Sequence, residues 1–507
     1  MWGRTAMGIA LRVDFTLGAA ALSSRYSGNE MSFTRRSFLV GAGAGASMLV
    51  LTACTDTPPR PAPTPSPEPS NSVPKPKSVQ RSNWSNDPFA LGAVSFLPVG
   101  ATSLHRDNLA HSVDDRVFFA GEALSDDPAT VGGARSSGAR AAGELADIAV
   151  EGERIAVIGA GAAGAECARR LSAQGLDVVV LEARDRTGGR IHSVNDGDGN
   201  YTELGAWRLG VDSDADVVAA LDRLDVTSVS ASGPDLIRDA VSDGEVLTPA
   251  PVADVPPTSP NAVGATAVAT ATIWAAEQAA DSTLADALVA SGAFDTAGAA
   301  SQGELGGGPL LEQYLRSLAT VTGAEASTAS AWFVPPIAPE ATRIVTGPFV
   351  SLIDDDLREI ETFLSTVVVG VSYDDDGVRL RLGTGESLSV DRVVVTVPLG
   401  VLKAATIDFN PLLPFGHRAA INALSVGAID VIKARFDAPF WSTDAVTWSL
   451  VGTNELITTW VNLAPLTGEA ALIGIVGGDA AIALAGLSDK ELAELVVSSL
   501  RPFAEAA

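Results

Sequence analysis

The sequence predicts an α/β fold built around a parallel sheet, and three consecutive features predict it. The apolar run Ile155–Ile158 has the length of a buried parallel strand. A Gly-x-Gly-x-x-Gly turn follows at residues 159–164, and a helical segment at 165–174 comes next. A second apolar run, Val178–Leu181, completes the unit. Strand, glycine turn, helix and strand in this order are typical of a Rossmann-like dinucleotide-binding fold.

Each glycine of this turn has a physical role. Gly159 permits the tight turn from strand to helix, Gly161 lets a pyrophosphate approach the backbone, and Gly164 lets the helix pack closely on the strand. The N-terminus of the helix offers free N–H groups and a partial positive charge to phosphates. Glu182 lies about 20 residues beyond Gly164, as expected of an acid that hydrogen-bonds ribose hydroxyls.

The segment 182–190 makes the cofactor prediction more specific. Its sequence, Glu-Ala-Arg-x-Arg-x-Gly-Gly-Arg, resembles the FAD-binding signature of the flavin amine oxidase family, which includes monoamine, polyamine and L-amino acid oxidases. In that family the second glycine pair and the arginines surround the FAD pyrophosphate. The resemblance implies an FAD-binding Rossmann-like domain of the glutathione-reductase type. It also implies an α+β substrate domain with a mixed sheet and helices.

Two segments ahead of the glycine motif resemble the same family, but their position in the chain is unusual. Residues 83–92 contain Trp-x-x-Asp-Pro-x-x-x-Gly, and residues 117–148 contain Phe-Ala-Gly-Glu and a helix of small residues. In the family these segments close the chain and cover the flavin. Residues 487–507 resemble the helix that normally leads into them. We therefore predict a circular permutation, with residues 149–153 as the link to the first strand.

The resemblance implies a set of residues around a non-covalent FAD. Family members that bind FAD covalently carry a cysteine where this chain has Ala93. The predicted cofactor-binding residues are Gly159, Gly161, Ala163, Gly164, Glu182, Ala183, Arg184, Gly188, Gly189, Arg190, Gly205, Ala206, Trp207, Arg208, Val368, Gly121, Glu122, Val131 and Ala134.

The implied reaction is oxidation of a C–N bond of an amine or L-amino acid by hydride transfer to FAD, with O2 reoxidation giving H2O2. Two residues are predicted to act on the substrate. Arg208, in Gly-Ala-x-Arg, resembles the arginine that binds the substrate carboxylate in L-amino acid oxidases, and a guanidinium can form two parallel hydrogen bonds. His417 stands where the family has a lysine that holds a water near the flavin. Imidazole can also hold a water.

Two other functions stay open. Val94 and Thr130 stand where aromatic side chains flank the amine in many family members. A flavin-binding lipoprotein with lost or altered activity and a desaturase-type flavoenzyme are therefore alternatives. No metal site is predicted, because the four histidines show no ligand spacing.

Charge and the N-terminal segment predict the partners and the location. The formal charge of −27 argues against nucleic acid as a partner. Residues 34–39 read as a twin-arginine motif, and an apolar run leads to Leu-Thr-Ala before Cys54, which resembles a bacterial lipobox. We predict export by the twin-arginine route and a lipid anchor at Cys54 on the extracytoplasmic face of the cell membrane. The only other partners predicted are a small-molecule amine or amino acid and O2, and the oligomeric state is left open.

The same reasoning divides the 507 residues into seven segments. Within the sixth of these segments, a helix is predicted at 347–364. The segments are the extension and export signal at 1–54, a Pro-rich tether at 55–80, the permuted FAD-binding segment at 81–150, the Rossmann segment at 151–212, a helical substrate-domain segment at 213–342, the FAD-domain return and substrate sheet at 343–411, and the remaining substrate domain at 412–507.

Overall fold

The protein is described by a computed structural model that covers residues 73–197, 199–240, 246–247, 261–302, 305–334 and 342–504. The predicted export signal, Cys54 and the first part of the predicted tether lie outside the described residues.

Strands and helices are distributed throughout these ranges. The strands are β1 (Ser78–Arg81), β2 (Val94–Phe96), β3 (Val117–Phe119), β4 (Arg154–Ile158), β5 (Asp177–Leu181), β6 (Ser193–Asn195), β7 (Tyr201–Glu203), β8 (Arg208–Gly210), β9 (Ser228–Ser230), β10 (Asp235–Asp239), β11 (Val246–Leu247), β12 (Ser301–Gln302), β13 (Leu305–Gly306), β14 (Thr342–Val345), β15 (Glu361–Phe363), β16 (Val368–Asp374), β17 (Gly377–Leu382), β18 (Ser387–Val390), β19 (Arg392–Val395), β20 (Asp408–Asn410), β21 (Ser425–Gly427), β22 (Ile429–Arg435), β23 (Thr447–Val451), β24 (Thr459–Asn462) and β25 (Ala471–Gly477). The α-helices are α1 (Ser103–Ala110), α2 (Val131–Ala146), α3 (Ala162–Ala173), α4 (Ala215–Arg223), α5 (Ala262–Ala276), α6 (Leu284–Ala290), α7 (Ala293–Ala299), α8 (Gly307–Thr322), α9 (Ser351–Asp356), α10 (Leu399–Lys403), α11 (Phe415–Ala423), α12 (Ala464–Thr467), α13 (Gly478–Ala485) and α14 (Asp489–Leu500).

A five-stranded parallel sheet in the order β15-β5-β4-β19-β3 forms the dinucleotide-binding part. Strands β3, β4, β5 and β19 are apolar at nearly every position, as expected where both faces of a sheet are covered. On β4, Ile155 and Val157 pack toward α2 and α3, whereas Ala156 and Ile158 pack toward the sheet of β16–β18 and β20. The predicted α/β fold with a Rossmann-like domain is confirmed.

Residues ahead of the glycine motif complete this domain. Strand β3 pairs with β19, so it lies in the same sheet as β4 although it precedes β4 in the chain. Helix α2 packs on α3, and glycine at position 138 permits the close approach. A Cβ added at Gly138 would lie 2.2 Å from the carbonyl oxygen of Ala163.

The second part of the molecule is built on a seven-stranded mixed sheet in the order β1-β22-β25-β24-β23-β10-β11. All neighbours are antiparallel except β10 and β23. Helices α13 and α14 contribute to the core on one face, and α5–α8 form a separate apolar cluster. The predicted α+β substrate domain with a mixed sheet and helices is therefore present.

One predicted helix is much shorter than expected. Helix α9 spans only Ser351–Asp356 of the predicted 347–364, and Glu361–Phe363 forms the edge strand β15. Strand β15 pairs in parallel with β5, so sheet pairing prevails over local helix propensity.

Among the described residues, no helix is both long and apolar enough to cross a membrane.

Candidate active site

A cavity of about 650 Å³ lies between the parallel sheet and the seven-stranded sheet. Nearly all of the predicted site residues line it. Most of them come from the glycine motif at 159–164, the arm at 182–190, the segment at 205–208 and the segment at 117–148 ahead of the motif. The predicted residues that line it are Gly159, Gly161, Ala163, Glu182, Ala183, Arg184, Gly188, Gly189, Arg190, Gly205, Ala206, Trp207, Arg208, Val368, Gly121, Glu122, Val131 and Ala134. Their individual roles stay predictions.

The glycine turn has the geometry that its sequence predicts. Gly159 has a φ of +111°, and a Cβ there would lie 2.7 Å from Oγ1 of Thr396. Gly164 does not line the cavity. Its role is packing, since a Cβ would lie 1.9 Å from the carbonyl oxygen of Gly159. Gly161 is the N-cap of α3, and the nearest atom to an added Cβ is 3.9 Å away. The start of α3 is thus open toward the cavity.

Glu182 fixes the turn and borders the cavity with the same carboxylate. One oxygen, Oε2, accepts a hydrogen bond from the backbone N–H of Ala160 at 2.8 Å. The other, Oε1, accepts one from the backbone N–H of Arg184 at 2.8 Å. A carboxylate has about four acceptor sites, so each oxygen retains acceptor capacity toward the cavity.

Glu122 joins three parts of the cavity wall. Its Oε1 accepts hydrogen bonds from the backbone N–H of Ser95 at 2.9 Å, from Oγ of Ser95 at 2.7 Å and from the backbone N–H of Ala129 at 3.0 Å. Its Oε2 lies 3.1 Å from Nη1 of Arg190, which also donates to the carbonyl of Ala93 at 2.6 Å. Burial opposes ionisation, but Arg190, the Ser95 hydrogen bonds and Arg106 outweigh it and lower the pKa of Glu122.

Sequence reasoning missed two members of this network. Arg106 is buried and donates through Nη1 to Oγ of Ser95 at 2.7 Å and to the carbonyl of Ala123 at 2.6 Å. No motif marks Arg106 or Ser95, because the bond from Arg106 to Ser95 and those from Ser95 to Glu122 depend on the fold of α1 and β2. Through Glu122 and Arg190, these two residues connect the segment with Ala93 and Val94 to the arm at 182–190.

The end of the cavity beside the seven-stranded sheet is lined by apolar residues from several segments. Val94, Val321, Ile429 and Ile475 line it, together with the buried indole of Trp207. Arg208 is exposed and is among the residues that line the same cavity.

His417, which was predicted to be catalytic, lies outside the cavity lining, so the structure gives its predicted role no support. Its Nε2 lies 3.0 Å from the carbonyl oxygen of His111, and its ring centroid lies 5.3 Å from that of Phe119. The ring is buried and does not line the cavity. Burial lowers the pKa of His417. Helix α11 packs on α1, and this packing directs the imidazole into the core instead of toward the cavity.

Lys403 does not replace the missing lysine. Its Nζ donates to the carbonyls of Ile421, Asn422 and Leu424 at 2.9, 3.1 and 2.7 Å. These are carbonyls at the C-terminus of α11, so the ammonium caps that helix. Among the described residues there is also no group of three potential metal ligands.

Comparisons with known proteins identify related sequences and folds. The family profile described as flavin containing amine oxidoreductase matches residues 64–146 and 162–506. Probable polyamine oxidase 4 of Arabidopsis thaliana is 28% identical over 355 residues, covering 68% of this chain and 71% of the plant protein. Polyamine oxidase 4 of Oryza sativa subsp. japonica is 29% identical over 363 residues, covering 68% and 72%. Lysine-specific histone demethylase 2 of Homo sapiens is 26% identical over 364 residues, covering 68% and 43%.

A solved structure has a similar fold. A redesigned triple mutant of putrescine oxidase superposes with a TM-score of 0.52 at 18% identity, covering 70% of this chain and 82% of that chain.

Proposed function

The chain belongs to the flavin-containing amine oxidoreductase family and is an FAD-dependent amine oxidoreductase, and from this premise we propose that its substrates are aliphatic amines of the polyamine type. One observation carries the proposal. A single cavity is lined by the dinucleotide motif on one side and by apolar residues of the substrate sheet on the other. The similarity to plant polyamine oxidases supports the same substrate class.

The residues present fit FAD. The backbone at Gly161 and Gly121 borders the cavity without obstruction, since no atom lies within 4 Å of an added Cβ at Gly121. The start of α3 would hold the pyrophosphate, because free N–H groups and the helix dipole favour an anion there. Glu182 would hold ribose hydroxyls. Ala93 lines the cavity and offers no thiol, which supports non-covalent binding.

The chain's own residues would position the amine. FAD, when bound, accepts a hydride from the carbon next to the amine nitrogen and passes the electrons to O2, giving H2O2. The apolar side chains of Val94, Ile429 and Ile475 would lower the pKa of a bound amine, because burial disfavours the ammonium form. They would therefore present a neutral amine with an available lone pair and exclude water from the reacting carbon.

Oxidation of L-amino acids is a second candidate, favoured by one observation. Arg208 lines the same cavity as the glycine motif, so its guanidinium can reach a bound ligand. A substrate carboxylate would be held by two parallel hydrogen bonds. Amines and amino acids would then differ in their dependence on Arg208.

Anaerobic reduction of the flavin tests the proposed function. Purified protein reconstituted with FAD is mixed without oxygen with polyamines, alkylamines and L-amino acids, and flavin absorbance is followed. Bleaching by polyamines, with H2O2 formed when air is admitted, is the expected result. No bleaching by any amine or amino acid would support a flavin-binding protein with lost activity. Reduction only by apolar substrates that lack nitrogen would support a desaturase.

We also propose that the chain is a circular permutant of its family. Two observations support this. Strand β3 and helix α2, which precede the glycine motif in sequence, complete the sheet and the helical layer around it. Val73 and Phe503 belong to one apolar cluster, so both ends of the described chain pack into the same core. A gene that starts at residue 154, joins 504 to 73 and ends at 148 should yield a folded protein with the same flavin absorbance. Failure of this rearranged chain to fold would contradict the permutation.

Export as a lipoprotein is proposed from the sequence of residues outside the described ranges. Replacing Arg35 and Arg36 with lysine should retain the protein in the cytoplasm. The Cys54→Ala variant should lose incorporation of labelled palmitate and leave the membrane fraction. Unchanged fractionation of both variants would exclude the proposed anchor.

A further inference from the structure

A second cavity of about 250 Å³ adjoins the active-site cavity. We call it the distal chamber. It lies beside the β6–β7 hairpin, and Glu203, Lys433 and Glu469 are its charged lining. Trp207 and Val431 line both cavities and so form the partition between them.

Strand register places both cavities on one face of the seven-stranded sheet. Val431 pairs with Ile475, and Lys433 pairs with Ile473. Residues two apart on a strand point to the same face and lie about 7 Å apart. Ile475 and Val431 line the larger cavity, whereas Val431, Lys433 and Ile473 line the distal chamber. The distal chamber therefore begins one residue pair beyond the end of the larger cavity.

Glu203 is the one charged lining residue of the distal chamber without a described counter-ion. Nζ of Lys433 lies 3.0 Å from Oε2 of Glu469 and donates to the carbonyl of Tyr201 at 3.1 Å. Oε1 of Glu469 also lies 2.9 Å from Nε of Arg435, and Arg435 pairs with Asp196, so these four charges balance one another. The Glu203 carboxylate accepts hydrogen bonds from Oγ of Ser193 at 2.9 Å and from the backbone N–H of Phe349 at 3.2 Å, and it is only 5% exposed.

A cation in the chamber would offset the cost of ionising the buried Glu203 carboxylate. Desolvation raises the pKa of Glu203 to about 7, although its hydrogen bonds and Lys433 oppose the shift. An ammonium group beside it would favour the ionised form, so the proton of Glu203 would be released on binding. A carboxylate ligand would instead add negative charge beside Glu203. The net charge of −27 also favours entry of cations.

We propose that the distal chamber binds the remote ammonium group of a diamine or polyamine whose reacting nitrogen lies in the larger cavity, with Glu203 as counter-ion. The methylene chain would lie against Trp207 and Val431, which line both cavities and whose apolar side chains suit it. This inference rests on the proposed function, because it assigns the far end of the same substrate.

Two amines with the same carbon chain test the inference. Octylamine and diaminooctane differ only in the remote amino group. The ratio of their kcat/KM values, measured with peroxide readout, isolates the contribution of that group. We expect the wild-type protein to prefer the diamine by about tenfold or more, as a charge-assisted hydrogen bond provides. The preference should rise as pH increases through 7, because Glu203 then ionises.

The Glu203→Gln variant provides the matched comparison. Its amide can still accept from Phe349 and donate to Ser193, so the local hydrogen bonds can be retained. We expect about a tenfold loss of kcat/KM for diaminooctane, no change for octylamine and a ratio that no longer varies near pH 7. The Glu494→Gln variant, which removes the same charge from an exposed position on α14, should behave as wild type.

The outcomes separate this inference from the proposed function. Equal losses for both amines would mean that Glu203 has only a structural role. A wild-type ratio near one, or one independent of pH, would overturn the distal site even if the variant does not fold. In either case reduction of the flavin by octylamine would leave the proposed function standing. If neither amine reduces the flavin without oxygen, both are overturned.

Discussion

The docking of α2 on the cofactor helix α3 can be tested with two alanine substitutions in one helix. Gly138→Ala places a Cβ 2.2 Å from the carbonyl oxygen of Ala163, a backbone atom near the start of α3. Gly143→Ala, in the same helix, places a Cβ with no atom within 4 Å. Both variants gain about 1 kcal/mol of helix propensity. Only the first must move α2 away from α3.

The expected difference follows from these contacts. Overpacking of a close interface costs about 1–3 kcal/mol, and a clash with rigid backbone lies near the upper end. After the propensity gain, Gly138→Ala should lose about 2 kcal/mol of unfolding free energy, whereas Gly143→Ala should gain about 1 kcal/mol. Urea unfolding of the apoproteins measures both. FAD titration should show weaker binding only for Gly138→Ala, because moving α2 away from α3 would disturb the start of α3, which is proposed to hold the pyrophosphate. Equal stability of the two variants would contradict the close approach of α2 to α3 at Gly138.

Three further predictions concern single side chains. Arg208→Ala should reduce turnover of L-amino acids much more than turnover of the corresponding decarboxylated amines in a peroxide assay, and equal losses would exclude a carboxylate-binding role. His417→Gln should keep amine turnover within a few-fold of wild type but lower the urea midpoint, since the ring contacts His111 and Phe119 and not the cavity; a large loss of kcat at unchanged stability would contradict this. Glu203 has a pKa raised from 4.5 to about 7, so the folded protein binds the extra proton and this residue lowers stability as pH rises from about 4.5 to 7. The unfolding free energy of Glu203→Gln relative to wild type should therefore increase by about 3 kcal/mol across this range, and no increase would refute the buried, protonated state.

The dinucleotide-binding half was predictable because its constraints are local. Gly159 and Gly164 are required by backbone contacts within one strand–turn–helix unit, and the sequence spacing encodes those contacts directly. The predicted helix at 165–174 corresponds to α3, which spans Ala162–Ala173. Only residue 174 of the predicted range lies outside α3. Short apolar runs became β4 and β5 with their predicted bounds nearly unchanged.

Other features depend on contacts between distant segments and were not predictable. Helix 347–364 was overpredicted because the strand pairing of Glu361–Phe363 with β5 cannot be read from its own residues. His417 was assigned because it stands where the family has a lysine, but its side chain contacts the end of α1, which lies 306 residues away in the chain.

The substrate end illustrates why a motif defines a cofactor site more easily than a substrate site. Phosphates and ribose present the same groups in every FAD, so backbone N–H groups and one acid at fixed spacing recur together. The residues of the opposite wall are determined by the register between β22 and β25, which pairs Val431 with Ile475 and Lys433 with Ile473. A shift of one residue in that register would exchange the faces of β22 and direct Lys433 away from the distal chamber. Substrate length and charge would then be set by how β22 pairs with β25, a property that no short sequence pattern records.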